Sequence, residues 1–348
     1  MSRTIDFRSD TVTLPPPEMR RAMYEAELGD DVYGEDPTVN ALQERAAELV
    51  GKEAGLFVTS GTQGNLVSIL THCTRGDEIV LGDQAHILHY EVGGASALAG
   101  AQVRTVPNRV DGTLDPAAVA AVMRDPSDVH NPYTRLVCLE NTQNLCGGVV
   151  LSPAYMREIG ALAHAHGASL HLDGARLFNA AVAQGISAAE AAGGADTVTI
   201  CASKGLAAPV GSVLCGSGEF IDRARRWRKM VGGGMRQAGV IAAGALFALN
   251  NMVDRLADDH RLARLLAEGL AEIRLISLNP ATVQTNIVVF DVAASGHGAE
   301  EMAKRLNQAG VLCGALDETR IRLVTHFGIE QRHVEQALIR IASVMREL

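Results

Sequence analysis

Short apolar runs alternate with helical patterns through the first two thirds of the chain. Seven such runs are four to six residues long, which is typical of strands buried in a sheet. Helical patterns, such as the one over residues 154–166, lie between most of them. This alternation predicts an α/β fold in which helices cover both faces of a largely parallel sheet. The predicted strands are residues 55–58, 78–82, 102–106, 135–140, 169–173, 197–201 and 211–216.

Residues 34–51 (GEDPTVNALQERAAELVG) predict a helix together with both of its ends. Asp36 suits the N-cap, and Pro37 suits the first turn, where a backbone N–H is not needed. Gly51 is expected to end the helix, because glycine readily adopts the left-handed conformation of a C-cap. Between these ends the apolar residues repeat at helical spacing: Val39, Leu42, Ala46 and Leu49.

The pattern changes after the seventh strand. Residues 218–273 are mostly helical in pattern, and the remainder predicts a smaller α+β domain. Its predicted strands are residues 286–292 and 319–327, and its predicted helices are residues 298–309 and 329–347. We therefore predict an N-terminal arm that ends near three consecutive prolines, a large domain and a small C-terminal domain. Their ranges are 1–16, 17–250 and 251–348.

Composition and charge narrow the class of protein. The chain has 348 residues, which is more than one hydrophobic core usually supports, and 47% of them are hydrophobic, as in an ordinary folded protein. Because 31 Lys and Arg stand against 40 Asp and Glu, the net charge of −9 argues against a binder of nucleic acids or anionic membranes. The one basic run, residues 223–229 (RARRWRK), is interpreted as one face of a helix.

The cysteines and the N-terminus indicate a compartment. The cysteines form no CxxC pair, and several lie in apolar runs, so we expect reduced, buried thiols in a cytoplasmic protein. The first ten residues lack the layout of a signal peptide, and the longest apolar run, residues 239–249, is too short to cross a bilayer. No His, Cys or carboxylate spacing indicates a catalytic metal site. The cysteines are Cys73, Cys138, Cys146, Cys201, Cys215 and Cys313.

Two candidate binding features follow predicted strands. Ser60, Gly61 and Thr62 lie between a strand and a helix, where N–H groups and hydroxyls can bind a phosphate. Asp173 ends another strand, and its carboxylate can hold a proton on a heterocyclic nitrogen, bind a metal or cap the following helix. Taken alone, each feature is explained by capping as well as by ligand binding.

Lys204 shifts the interpretation of these features from helix capping toward ligand binding. It follows a third strand, 31 residues after Asp173 (204 − 173), which is about the length of one strand–helix–strand unit. Apolar surroundings favour the neutral amine, which is the form that attacks a carbonyl. A phosphate cradle, an acid and a lysine that can form a Schiff base, all after strands of one α/β domain, are what pyridoxal phosphate requires.

Eight motifs spread along the chain carry a family resemblance. In chain order they are DFRSDTVT, GDDVYGEDPTVN, TSGTQGN, DQAHI, HLDGARLFNA, SKGL, GGGMRQ and RLVTHF. With them the chain resembles the threonine aldolases that act with low specificity on L-threonine and L-allo-threonine. These enzymes belong to the β-eliminating lyase group of the fold type I (aspartate-aminotransferase-like) pyridoxal-phosphate enzymes. The resemblance implies that fold for the large domain, followed by a smaller C-terminal domain.

The resemblance assigns the cofactor site residue by residue. It implies that Lys204 forms the Schiff base with pyridoxal 5'-phosphate and that Asp173 pairs with the pyridine nitrogen. His86 is expected to lie against the face of the ring. The other cofactor-binding residues that it implies are Ser60, Gly61 and Thr62 at the phosphate, Arg236 as a supporting arginine, and Arg176.

The substrate side of the site is also implied by the resemblance. Arg176 and Arg322 match the arginines that bind the amino-acid carboxylate, for which a guanidinium offers a fork of donors. Ser9 matches a hydroxyl at the same end of the substrate. Tyr33 and His86 are expected in the pocket around the substrate side chain.

Two histidines are candidates for the base that takes the proton of the β-hydroxyl, because an imidazole titrates near neutral pH. They are His86 and His130, and the sequence does not choose between them. The chain departs from the family at Gln143 in ENTQN, where members often carry histidine. A glutamine cannot act as a base and is expected to shape the pocket instead.

The activity implied by the resemblance is the reversible aldol cleavage of β-hydroxy-α-amino acids to glycine and an aldehyde. The alternatives are a β-eliminating lyase, a glycine hydroxymethyltransferase-like enzyme, a protein that binds the cofactor without catalysis, and a scaffold without a cofactor. The resemblance also implies a homotetramer, a dimer of dimers with active sites at subunit interfaces. Residues 30–37 and the N-terminal arm are candidates to reach a neighbouring site, and no nucleic-acid or membrane partner is expected.

Overall fold

The computed structural model describes residues 4–125 and 127–348. The strands are β1 (Ile5–Asp6), β2 (Ala54–Val58), β3 (Glu78–Gly82), β4 (Gln102–Val106), β5 (Thr134–Glu140), β6 (Ser169–Gly174), β7 (Thr197–Cys201), β8 (Ser212–Gly216), β9 (Ile287–Asp291), β10 (Val311–Leu312), β11 (Gly314–Ala315) and β12 (Arg320–Val324). The helices are α1 (Pro17–Tyr24), α2 (Pro37–Val50), α3 (Gly61–His72), α4 (His86–His89), α5 (Gly94–Ala97), α6 (Pro116–Val122), α7 (Pro153–Ala165), α8 (Leu177–Gln184), α9 (Ala188–Ala191), α10 (Gly218–Met230), α11 (Gly239–Asn251), α12 (Leu256–Ala271), α13 (Ala299–Gln308) and α14 (Gln331–Arg346).

The central sheet has seven strands in the order β2-β8-β7-β6-β5-β3-β4. From β7 to β4 all neighbouring strands are parallel, whereas β8 runs antiparallel to both β7 and β2. Every residue of β3, β7 and β8 is buried, as expected for strands that are covered on both faces. The predicted α/β fold is confirmed, and each of the seven predicted strands agrees with a strand of the sheet to within one residue at either end.

Parallel pairing brings the ends of β5, β6 and β7 to one edge of the sheet. The register places Glu140 of β5 beside Asp173 of β6, and Asp173 beside Thr199 of β7. Sheets of this kind bind their ligands at the carboxyl ends of the strands. This edge is therefore where the strand-end residues can act together.

Capping side chains determine where α2 and α3 begin. Asp36 Oδ1 accepts a hydrogen bond from Val39 N at 3.0 Å, and Gly51 follows α2 with a φ of 67°, so the predicted helix is confirmed. Ser60 Oγ accepts from Gln63 N at 3.1 Å and caps α3. The amino end of α3 consequently lies directly after the end of β2.

A second hydrophobic cluster forms the core of the C-terminal part of the chain. It lies against the three-stranded sheet β11-β12-β9 and is covered by α12, α13 and α14. Part of the predicted N-terminal arm belongs to this core, because β1 pairs in parallel with β10 and Phe7 is fully buried in the cluster. The expectation of a separate arm is therefore wrong for residues 5–7, whose apolar side chains fill a core of their own chain.

The basic run forms part of α10. Arg228 is buried and donates to Asp31 Oδ2 at 2.7 Å and to the carbonyl of Phe57 at 2.8 Å. Arg223, Arg226 and Lys229 are exposed. The exposed basic side chains of the run therefore lie on one face of an amphipathic helix, and Arg228 is buried inside the protein.

The cysteines are mostly buried, and the apolar helices are short. The six cysteines are free thiols, and five of them are buried. Among the described residues, no single helix is long and apolar enough to cross a membrane. The bent pair α11 and α12, which meet at 72°, passes this test together by length and composition only.

Candidate active site

The candidate site lies where β5, β6 and β7 end beside the amino end of α3. Glu140 is the last residue of β5, Asp173 is the penultimate residue of β6, and Lys204 lies three residues beyond β7. Gly61 of α3 approaches this edge closely, since a Cβ atom built on it would lie 2.7 Å from the Sγ atom of Cys201. Segments that are far apart in the sequence thus meet at one place.

The first turn of α3 offers hydrogen-bond donors. The N–H groups of Gly61 and Thr62 precede the first intrahelical hydrogen bond, and no acceptor among residues 4–125 and 127–348 binds them. Ser60 lies at the start of this turn and remains exposed. Donors at the amino end of a helix suit a phosphate. A side chain at position 61 would collide with Cys201, so this position requires glycine.

Lys204 combines a fixed backbone with an unengaged amine. Its carbonyl accepts hydrogen bonds from Thr13 Oγ1 at 3.1 Å and from Ala207 N at 2.8 Å. The carbonyl of Gly205 accepts from Arg255 Nη1 at 3.1 Å. The side chain is half-buried, and no described residue forms a hydrogen bond or an ion pair with its amine. An amine held in this way is suited to attack a carbonyl.

Asp173 is a buried carboxylate that receives two donors. Asn65 Nδ2 donates to its Oδ2 atom at 2.8 Å, and Ala175 N donates to its Oδ1 atom at 3.1 Å. The same amide nitrogen of Asn65 donates to Oε1 of Glu91, also at 2.8 Å. Hydrogen bonds of this kind stabilise a carboxylate in its charged form. Such a carboxylate can keep a proton on the nitrogen of a pyridine ring.

His86 is held by two glutamates. Its backbone N–H donates to Glu140 Oε2 at 2.8 Å, and its Nδ1 atom lies 2.9 Å from Glu91 Oε1. Burial alone would lower the pKa of His86, but the hydrogen bond to Glu91 and the charge of Asp173 raise it above the ordinary value. The ring is half-buried, so one part of it remains available for contact with a ligand.

Glu140 is a buried acid next to Asp173. Its Oε1 atom accepts from Asn144 N at 3.0 Å, in addition to the hydrogen bond from the backbone of His86. Burial, together with the negative charge of Asp173, raises the pKa of Glu140 above its ordinary value. Its two hydrogen bonds also fix the backbone on both sides of the site.

Arg176 is already paired with a carboxylate of its own chain. Its Nε and Nη2 atoms donate to the two oxygens of Asp10 at 2.8 and 2.7 Å, and both side chains are buried. Burial alone would raise the pKa of Asp10, but Arg176 lowers it to about 2. Two of the three guanidinium nitrogens of Arg176 are therefore engaged within the chain, and its role at the substrate carboxylate stays a prediction. The Nη1 atom, 3.5 Å from Asn144 Oδ1, is the part that Asp10 leaves unengaged.

Arg322 lies beside Arg176 without a carboxylate of its own. Its Nη1 atom donates to Asn144 Oδ1 at 2.8 Å, and its Nη2 atom lies 3.5 Å from the carbonyl of Arg8, the residue before Ser9. Burial and the charge of Arg176 lower the pKa of Arg322. The two neighbouring guanidinium groups carry two positive charges, and Asp10 supplies one negative charge to offset them. They can therefore bind one more anion, such as the carboxylate of an amino acid.

Three predicted site residues are not brought to this edge within one chain. His130 is exposed in the loop before β5, at the opposite edge of the sheet. Tyr33 is 75% exposed, and no hydrogen bond or ring contact among the described residues joins it to His86. Arg236 is exposed and pairs with Asp30 at 3.1 Å.

Gln143, at the position where the family often carries histidine, is buried and forms hydrogen bonds at both ends of its amide. Its Nε2 atom donates to the carbonyl of Gln84 at 2.6 Å, and its Oε1 atom accepts from Cys146 N at 2.7 Å. The side chain therefore holds the loop after β5 against the loop after β3. This arrangement agrees with a role in shaping the site.

Sequence reasoning missed four residues of the site. Asn65 and Asp10 bind predicted site residues through buried hydrogen bonds, and Glu91 and Glu140 bind His86 through partly buried ones. Asn65 lies in the motif TSGTQGN and Asp10 in RSD, so their position was an available signal. Glu140 and Glu91 had no separate signal.

The residues present fit pyridoxal phosphate. Unengaged N–H groups at Gly61 and Thr62 suit its phosphate, the buried carboxylate of Asp173 suits its ring nitrogen, and the amine of Lys204 suits its aldehyde. His86 is joined to Asp173 through Glu91 and Asn65, and its half-buried ring is open to contact with a cofactor ring. Each of these groups thus matches one functional group of pyridoxal phosphate.

The chain is similar to a known family and to proteins named as threonine aldolases. The family model described as "Beta-eliminating lyase" matches residues 6–293. The probable low-specificity L-threonine aldolase 2 of Arabidopsis thaliana is 51% identical over 339 residues, which cover 97% of this chain and 96% of the relative. The low specificity L-threonine aldolase of Escherichia coli (strain K12) is 44% identical over 332 residues, which cover 95% and 96%. A solved structure of a Leishmania major threonine aldolase shares the fold, with a TM-score of 0.82 at 22% identity over 98% of this chain and 99% of that one.

Proposed function

The chain belongs to the beta-eliminating lyase family, and from that premise we propose that it is a pyridoxal-phosphate-dependent threonine aldolase. It cleaves L-threonine, L-allo-threonine and related β-hydroxy-α-amino acids to glycine and an aldehyde, which is acetaldehyde for threonine, and the reaction is reversible. The observation that carries this proposal is the unengaged amine of Lys204 at the sheet edge that also holds Asp173 and the donors of α3.

The chain's own residues bind and orient the cofactor. Lys204 would hold the cofactor through its amine, at the aldehyde end. The N–H groups of Gly61 and Thr62 bind the phosphate, and Asp173 keeps a proton on the ring nitrogen. Pyridoxal phosphate, when bound, supplies a ring that accepts the electrons of the broken Cα–Cβ bond. Because Asp173 keeps that ring protonated, it strengthens this capacity.

The arginines orient the substrate. Arg322 and the Nη1 atom of Arg176 bind the α-carboxylate. Ser9 stays a prediction for the same end: it follows Arg8, whose carbonyl lies 3.5 Å from Arg322, and its hydroxyl accepts hydrogen bonds from Thr11. Fixing the carboxylate leaves the Cα–Cβ bond directed across the ring, so that this bond is the one that breaks.

A histidine removes the proton of the β-hydroxyl. His86 is the candidate that the single chain places at the site, and Glu91 positions its ring through Nδ1. His130 lies at the opposite edge of the sheet, so in the predicted role it would have to serve the site of another copy. Tyr33 also stays a prediction for the pocket. Because its side chain is exposed in one chain, it too would have to serve the site of another copy.

A homotetramer with shared active sites is the proposed assembly. Several large apolar side chains are exposed in one chain, among them Tyr24, Leu28, Tyr33 and Met230. The phosphate carries negative charge, yet Arg228 is committed to Asp31 and Arg236 pairs with Asp30. A second copy would cover the apolar surface and would bring an arginine to the phosphate. The free, mostly buried thiols support a cytoplasmic location.

The activity is tested by incubating the purified protein and pyridoxal phosphate with L-threonine or L-allo-threonine. Glycine is measured directly, and acetaldehyde by coupled reduction. Glycine with equimolar acetaldehyde is expected, and Lys204→Ala is the inactive control. Pyruvate and ammonia from L-serine, without glycine from either threonine, would instead identify a β-eliminating lyase and overturn the proposal.

The assembly is tested separately. Light scattering during gel filtration is expected to give the mass of four chains of 36.8 kDa each. Mixing Lys204→Ala with Arg236→Ala, both inactive alone, is expected to restore part of the activity, because some sites in mixed oligomers receive both intact residues. A monomer, or no restoration in verified mixed oligomers, would contradict shared sites.

A further inference from the structure

One amide group connects the three titratable side chains behind the cofactor site. Nδ2 of Asn65 lies 2.8 Å from Oδ2 of Asp173 and 2.8 Å from Oε1 of Glu91. The Glu91 oxygen in turn lies 2.9 Å from Nδ1 of His86. Single ligand atoms of His86, Glu91 and Asp173 all lie within 4.8 Å of one another, a spacing that also suits a metal ion. Here the amide hydrogens of Asn65 join the two carboxylates.

The orientation of this amide is determined by its other end. Oδ1 of Asn65 lies 3.1 Å from Nε2 of His171, which is fully buried in β6. Nδ1 of His171 lies 3.0 Å from Ser68 Oγ and 2.9 Å from Thr197 Oγ1. Burial lowers the pKa of His171 to about 4, so the ring is neutral at neutral pH. When a hydroxyl donates to Nδ1, Nε2 carries the proton and donates to Asn65, so both amide hydrogens point to the carboxylates.

We propose that Asn65, held by His171, is a positioning residue that keeps the carboxylate of Asp173 aimed at the ring nitrogen of the cofactor. The physical reason is the short distance between two buried carboxylates, whose like charges repel each other. Asn65 gives one hydrogen to each of them, which offsets this repulsion and fixes where both carboxylates lie.

This inference rests on the proposed cofactor and makes a specific statement about the reaction. Loss of the amide would free the carboxylate of Asp173 to turn away from the ring nitrogen, so it would hold the proton there less well. The ring would then accept electrons less readily, and kcat would fall. Substrate affinity would change little, because Arg322 and Arg176 bind the substrate carboxylate, and no hydrogen bond among the described residues joins either arginine to Asn65.

The test uses the holoenzyme reconstituted with pyridoxal phosphate labelled with ¹⁵N in the ring. The ¹⁵N chemical shift of the bound cofactor reports whether the ring nitrogen is protonated, whether or not the enzyme turns over. In Asn65→Leu, which keeps the approximate shape but has no donor, the shift is expected to move toward the unprotonated form. The expected fall in kcat is roughly 10- to 100-fold, the effect of losing a hydrogen bond to a charged group, with KM within about threefold.

Thr71→Val is the matched control, since Thr71 is buried in the same helix and its hydroxyl donates to the carbonyl of Val67, its one partner within the part of the chain that the structure describes. It should leave both the ¹⁵N shift and kcat unchanged. If Asn65→Leu does not fold, Asn65→Ala is measured in the same way and should move the shift in the same direction. A protonated ring nitrogen with wild-type kcat in the variant that folds would overturn the inference. Because the shift needs no turnover, this outcome is distinguishable from a failure of the proposed activity.

Discussion

The buried pair of Asp10 and Arg176 allows a quantitative prediction. Asp10→Asn keeps the shape of the side chain but removes the charge that both Nε and Nη2 of Arg176 bind. Asp10 is fully buried, and its Oδ2 atom also accepts from Asn286 Nδ2 at 3.2 Å. The substitution therefore leaves a buried guanidinium without its anionic partner, which is a costly arrangement.

The magnitude follows from the pKa of Asp10. Arg176 lowers this pKa from 3.8 to about 2, and the difference corresponds to about 2 kcal/mol of stability. Because the pKa is lower in the folded state, the contribution is complete above about pH 4 and disappears as the pH falls through 2. Removing one partner of a buried pair typically costs about 3–5 kcal/mol. We expect Asp10→Asn to lower the free energy of unfolding at pH 7 by about 2–4 kcal/mol.

The assay is urea unfolding followed by circular dichroism at one fixed protein concentration, for wild type and variant between pH 2 and pH 7. The control is Asp317→Asn, which removes the same charge from a half-exposed pair with Arg320 and is expected to cost less than about 1 kcal/mol. The difference between Asp10→Asn and wild type should shrink as the pH falls from 4 to 2. Equal losses in the two variants, or a difference that does not depend on pH, would refute the reasoning.

Three further predictions concern the reaction. Lys204→Ala is expected to lose the visible absorbance of the bound cofactor and all glycine formation while keeping the wild-type circular dichroism spectrum, and normal turnover would contradict the assignment. Arg322→Ala should raise KM roughly 10- to 100-fold with a smaller change in kcat, because the substrate carboxylate loses its unpaired guanidinium; an unchanged KM would place the carboxylate elsewhere. Glu91→Gln removes the hydrogen-bonded charge that raises the pKa of His86, so the acid limb of the kcat/KM profile, where His86 gains a proton, should move to lower pH. An acid limb at the same pH would mean that another group acts as the base.

The strands and the main cofactor residues followed from local pattern. A buried strand needs only a short apolar run, so its position can be recognised without its neighbours. Ser60, Asp173 and Lys204 were identified because each follows such a run, and parallel strands bring their carboxyl ends to one edge. The same logic placed Glu140 at that edge, but its glutamate had no separate signal to distinguish it from an ordinary strand end.

The partners of these residues did not follow from the sequence. Asp10 meets Arg176 across 166 positions, and Asn65 meets Asp173 across 108 positions. The sequence therefore predicted Arg176 as a substrate-binding residue without any sign that Asp10 binds most of its fork. His130 was likewise predicted without any sign that one chain places it at the far edge of the sheet.

The sequence by itself determined the order of strands and helices, the caps of α2 and α3, and the positions of Ser60, Asp173 and Lys204, because these depend on residues that are close along the chain. Only the tertiary structure decided which charges face one another. A hydrogen bond acts over about 3 Å, whatever the separation in sequence, so the pairing of Asp10 with Arg176 and the place of Asn65 between two carboxylates arise from the packing of distant segments. Whether a polar side chain is free for a ligand or committed to the chain is a property of that packing.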